Sequence, residues 1–156
     1  MSDPGDPART GVYAGRVVGV LTAILAVASL LSVRGTFVGR LRTVVDLVGI
    51  DPRGSIAAYF WLYVAGAAVG RYGLCYVVGS LIGVLYDAFE NPSVLVVAGA
   101  ALTVGVVDGA VAYVDTRSIL IATAYVLAWL CFVPAFYHFL GTTESEWGET
   151  RRLGGE

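Results

Sequence analysis

Four stretches of this chain are too long and too apolar to be at home in water: residues 12–33, 56–86, 94–114 and 119–140. A helix that crosses a bilayer needs about 20 consecutive, mostly apolar residues, and each stretch supplies them. No polar segment between them is long enough for a soluble domain. The expected fold is therefore all-α: an integral membrane four-helix bundle in the cell membrane. Its bundle occupies residues 12–141, between mobile polar tails at 1–11 and 142–156.

Composition agrees with lipid as the solvent. Hydrophobic residues make up 57% and charged residues 14%, against about 25% charged in soluble domains. The net charge of −2 and the absence of a basic cluster argue against nucleic acid as a partner. The bilayer is the expected partner, with other membrane proteins or further copies of the chain beside it.

The first stretch also has the shape of a signal peptide, with Ala26-Val27-Ala28 resembling a cleavage site. Its apolar run continues through Leu30, Leu31 and Val33, and its leader is acidic, so it reads as a retained helix. The second stretch is overlong: 31 residues make a helix of about 47 Å against a hydrocarbon core of about 30 Å. Its opening, Tyr59-Phe60-Trp61-Leu62-Tyr63, has the aromatic character of a membrane boundary. That places an interfacial segment at 56–63 and the crossing at 64–86. A broken pair of short helices, divided at Gly70 and Gly73, is the alternative.

Residues 36–50 place Phe37, Leu41, Val44, Val45 and Val48 on one helical face, with Arg40, Arg42 and Asp46 elsewhere. This is the pattern of a short helix lying on the membrane surface. Asp51-Pro52-Arg53-Gly54 then reads as a turn. Five arginines on the side of the first and third loops, against four on the other, favour both termini outside.

Small residues recur at four-residue spacing: Gly15 and Gly19, Gly66 and Gly70, Gly79 and Gly83, Gly105 and Gly109. In lipid such pairs let helix backbones approach closely. The two pairs on the second crossing helix are offset by 13 residues, a rotation of about 220°. That helix is expected to sit between two neighbours. Val104 is read as lipid-facing.

Chemistry-bearing residues are few. Cys75 and Cys131 are isolated in apolar runs and match neither a redox motif nor a zinc site. His138 is the lone histidine, too few for a metal or haem site, so no metal and no cofactor is expected. Ser80 and His138 form a weak candidate for a serine–histidine dyad, better read as a packing residue and a boundary side chain. Pro134 should kink the last helix. No P-loop, HExxH or nucleophile elbow appears, so no enzyme is expected.

Two charges remain deep inside apolar stretches, Arg71 and Asp108. Each lies 16 residues from one end of the short 87–92 loop, about 24 Å of helix, and hence at matching depth. They form a candidate intramembrane ion pair, because pairing lowers the cost of two charges that are expensive in lipid. The competing readings have Arg71 snorkelling toward Tyr63, or Asp108 pairing with Arg16. The expected role is a structural or accessory subunit; a small oligomeric transporter or channel built around Arg71 and Asp108 is the alternative.

Overall fold

The computed structural model describes residues 6–48, 55–90 and 92–141. Five helices follow in order: α1 (Pro7–Ser32), α2 (Arg34–Val48), α3 (Ile56–Ala88), α4 (Val94–Thr116) and α5 (Ile119–Leu130). No strand occurs among the described residues. After a one-residue turn at Cys131, α5 continues as helix through 132–141. Four helical segments, Pro7–Ser32, Ile56–Ala88, Val94–Thr116 and Ile119–Gly141, are long and apolar enough to cross a membrane, an architecture compatible with a membrane protein.

Local chemistry sets the ends. Asp6 caps α1 by accepting from the Ala8 N–H at 2.9 Å, with Pro7 at the first helical position, where its missing N–H costs nothing. Ser55 caps α3 through the Ala58 N–H, and Ser118 caps α5 through the Ile121 N–H. Arg117 turns α4 into α5 with a left-handed φ of 55°. The break at Cys131 has its cause in Pro134, which offers no N–H to the Leu130 carbonyl and crowds it.

α3 is one continuous helix across Gly70 and Gly73, not a broken pair. Its aromatic opening meets α2: Phe37 stacks on Tyr63 at 4.9 Å and meets Phe60 edge-on. At the other end Tyr86, Phe136 and Tyr137 form a second ring cluster. Tyr63 and Tyr86 lie 23 residues apart on α3, about 34 Å, close to the thickness of a bilayer core. On α2, Phe37 and Val38 are half-buried while Val44 and Leu47 are exposed, as suits a helix lying at a boundary. The turn expected at 51–54, residues 1–5 and the whole C-terminal tail lie outside the described residues, whereas residues 7–11, expected in a mobile tail, form the first turn of α1 because Asp6 and Pro7 start the helix there.

The helices pair as α1 with α3 and α4 with α5, while α3 and α4 touch at few points. The short 87–92 loop predicts α3 and α4 as antiparallel neighbours; they do run antiparallel, but each packs chiefly against a different helix. The reason is the match of small residues. Gly11, Gly15 and Gly19 of α1 face Tyr72, Cys75, Gly79 and Gly83 of α3. A Cβ on Gly15 would lie 2.5 Å from the Cys75 carbonyl oxygen. Gly105 and Gly109 of α4 face Ala122, Val126 and Trp129 of α5.

Large side chains fill the space between the two pairs. Trp129, Phe132 and Phe136 are fully buried and join Ala14, Val18, Cys75, Ile82, Val97 and Ala101 in one core. Val104 packs against this core instead of facing outward. Gly66 and Gly70 depart from the expected packing role within the chain: a Cβ on either would meet nothing within 4 Å. The offset of the two glycine pairs does turn them to different sides of α3, but only the Gly79–Gly83 side has a neighbour in this chain.

Candidate functional site

The buried residues of α3 form one stripe: Phe60, Val64, Cys75, Gly79, Ile82, Gly83 and Tyr86. Arg71 precedes Cys75 by one turn and so falls on the same inward face. On α4 the buried stripe is Val97, Ala101, Gly105, Asp108, Gly109 and Ala112, which makes Asp108 an inward residue by the same periodicity. On α5, Tyr125 and Trp129 stand one turn apart and face both.

The three stripes converge on a carboxylate. Arg71 Nη1 donates to Asp108 Oδ1 in a direct ion pair. The Trp129 indole Nε1 donates to Asp108 Oδ2 at 3.1 Å. The Arg71 guanidinium also lies over the Tyr125 ring, 4.9 Å from its centroid, where the ring face favours a cation. Each carboxylate oxygen is therefore held by a different helix, and the guanidinium is held twice. Asp108 is 9% exposed, so its charge depends on these donors in place of water.

Arg71 and Asp108 are thus in contact. Arg16, the competing partner for Asp108, lies elsewhere, over the rings of Tyr13 and Tyr76. The pair is not central in the bundle. Asp108 sits eight residues before the end of α4 and Tyr125 six residues after the start of α5, about 12 Å and 9 Å of helix.

A cavity of about 140 Å³ at that end reaches Arg71, lined also by Ser29, Tyr63, Asp115, Thr116 and Tyr125 among others. Its lining is of mixed character, with hydroxyls from four helices and an exposed carboxylate at Asp115. Such a space has the polar partners that water needs.

One turn below Arg71, Cys75 is fully buried against α1, its sulfur 3.3 Å from Thr22 Oγ1. The Thr22 hydroxyl is within 3.0 Å of the Val18 carbonyl; if it donates there, the Cys75 thiol is the donor to Thr22. This is a packing contact between α1 and α3, with both groups satisfied. Among the described residues no three His, Cys, Asp or Glu side chains come together as a metal site requires. Ser80 lines a groove with Arg9, Tyr13, Arg16 and Tyr76, and His138 is exposed with its ring against Phe139.

Sequence reasoning does not reach two members of the cluster, Tyr125 and Trp129. A signal did exist. Trp129 lies well inside an apolar helix, where its N–H needs an acceptor, and Asp108 is a buried acceptor with capacity for a second donor. Of the glycines expected at packing faces, Gly15, Gly19, Gly79, Gly83, Gly105 and Gly109 lie at helix contacts, whereas Gly66 and Gly70 lie on the open side of α3. Comparison with known proteins finds no matching family model, no matching curated protein and no matching solved structure.

Proposed function

We propose that this chain is a multi-pass protein of the cell membrane with a structural or accessory role and no enzymatic activity of its own. It is a pre-assembled unit that presents the outer side of α3 to another membrane helix. The observation that carries this reading is the bare glycine ladder of α3. A Cβ added at Gly66, Gly70 or Gly73 would meet no atom within 4 Å, while the glycines on the inner faces of α1, α3 and α4 are used in contacts within the chain. In lipid, a face that admits close backbone approach is a packing surface awaiting a second helix. The Arg71–Asp108–Trp129 cluster fits the same role, because it ties α3, α4 and α5 together through groups already satisfied by one another.

The test is purification in mild detergent followed by mass analysis of what accompanies the protein. A stoichiometric foreign membrane protein, lost on Gly70→Leu while the chain itself stays folded, supports the reading. A complex unaffected by Gly70→Leu and Gly66→Leu would remove its basis. The cavity that reaches Arg71 favours a second reading, a small oligomeric transporter or channel. A homo-oligomer that carries solute flux in liposomes, abolished by Arg71→Leu, would move the assignment there.

A further inference from the structure

At the opposite end of the bundle from the ion pair, α1 and α3 enclose an open groove of about 410 Å³. It runs inward from Asp6 at the start of α1 to Arg16 and Tyr76, and Arg9, Tyr13 and Ser80 complete its polar lining. Arg9 and Arg16 are seven residues apart, two turns on one helical face, and both are exposed. Their guanidinium groups converge on a single ring: Arg9 lies 5.9 Å and Arg16 5.5 Å from the Tyr13 centroid. Arg16 also lies 5.6 Å from the Tyr76 centroid.

Two cations drawn toward one aromatic wall, on the outside of a spanning helix, repel each other in a medium of low dielectric. Neither has an ion-pair partner among the described residues. The one carboxylate in the lining, Asp6, is engaged by the Ala8 N–H at the helix start. Side chains on α1 tilt toward its N-terminal end, so Arg16 reaches from within the span toward the boundary, as the Tyr13 contact shows. A basic pocket between membrane helices, open laterally and walled by tyrosines, has the chemistry of a lipid headgroup site.

We propose that this groove binds the phosphate of an anionic phospholipid, with Arg9 and Arg16 as its two cationic contacts and the Tyr13 and Tyr76 rings flanking it. The groove's lateral opening leaves room for acyl chains beside α1 and α3. The proposal rests on the membrane reading above but not on a protein partner, because the groove and the Gly66–Gly70 face are separate surfaces.

The test is native mass spectrometry of the full chain in detergent, titrated with phosphatidylglycerol, with phosphatidylcholine and with inorganic phosphate. The expected result is one tightly retained phosphatidylglycerol, with retention falling about fivefold for Arg9→Gln or Arg16→Gln and about 25-fold for the pair, while Arg117→Gln has no effect. Equal retention of phosphatidylcholine by the unaltered chain overturns the proposal, as does binding of inorganic phosphate as strong as that of the lipid. These two outcomes need no variant, so a folding defect in an arginine variant does not shelter the idea. Lipid retention unchanged in a folded Arg9→Gln/Arg16→Gln chain overturns it as well. A chain that stays soluble without detergent would instead strike at the membrane reading itself.

Discussion

Trp129 donates its indole N–H to the same carboxylate, Asp108, that Arg71 holds from the other side. The α4 hairpin to α5 is thereby joined to α3 through one buried anion. It is one polar link between the two helix pairs, beside the apolar core that Trp129, Phe132 and Phe136 share with α1 and α3.

The first prediction concerns that anion. Arg71→Leu leaves the Asp108 charge without its cation, and Asp108→Leu strands the guanidinium; each should cost about 3–5 kcal/mol. The double variant should lose clearly less than the sum. Unfolding in mixed detergent, read by tryptophan fluorescence, supplies the four corners of the cycle. Purely additive losses would show that the two groups do not act as a pair.

Trp129→Phe keeps most of the buried ring but removes the donor to Asp108 Oδ2. A loss of about 1–3 kcal/mol is expected from the unsatisfied carboxylate oxygen. In an Asp108→Leu background the same change should cost less, because no acceptor remains. An equal cost in both backgrounds would assign the effect of Trp129 to packing alone.

The glycines divide into two kinds. A Cβ on Gly109 would lie 2.7 Å from the Ala122 carbonyl oxygen, and one on Gly105 would lie 2.9 Å from Trp129 Cβ. Gly109→Leu should therefore separate α4 from α5 and lower the folded yield severely, by more than the roughly 1–3 kcal/mol typical of overpacking. Gly73→Leu and Val107→Leu, both on exposed positions, should leave the isolated chain folded. Fluorescence-detected size exclusion of tagged variants reads this directly, and a misfolded Gly73→Leu chain would mean that α3 is covered there within the chain.

The topology and the cavity are tested together by cysteine labelling in a chain carrying Cys75→Ala and Cys131→Ala. Glu90→Cys should react with a membrane-impermeant thiol reagent from one side and Arg117→Cys from the other. Ala67→Cys, in the lining of the cavity that leads to Arg71, should react from the Arg117 side. Reaction of Glu90→Cys and Arg117→Cys from the same side is incompatible with this path of the chain. Protection of Ala67→Cys from both sides would mean that water does not enter the cavity.

Much of the architecture depends on quantities that can be read in one dimension. The number and length of the apolar helices follow from runs of residues long enough to span a bilayer core. The aromatic opening of α3 and the surface pattern of α2 follow from local composition and periodicity. The contact between Arg71 and Asp108 was legible because a helix rises a fixed distance per residue, so two residues equally far from a short loop share a depth.

What the sequence left open was decided by which surfaces fit. In an apolar medium every spanning helix is hydrophobic all round, so hydropathy does not rank its faces, and the choice falls to shape and hydrogen bonding. Glycine pairs mark several surfaces suited to close approach without saying which two meet. The fold matches Gly15 with Cys75 and Gly109 with Ala122, and leaves Gly66 and Gly70 bare. It turns Val104 toward the core. It also brings Trp129 from a distant helix to the second oxygen of Asp108, a contact that no spacing along the chain encodes, because α5 reaches that carboxylate only by packing against the small-residue face of α4.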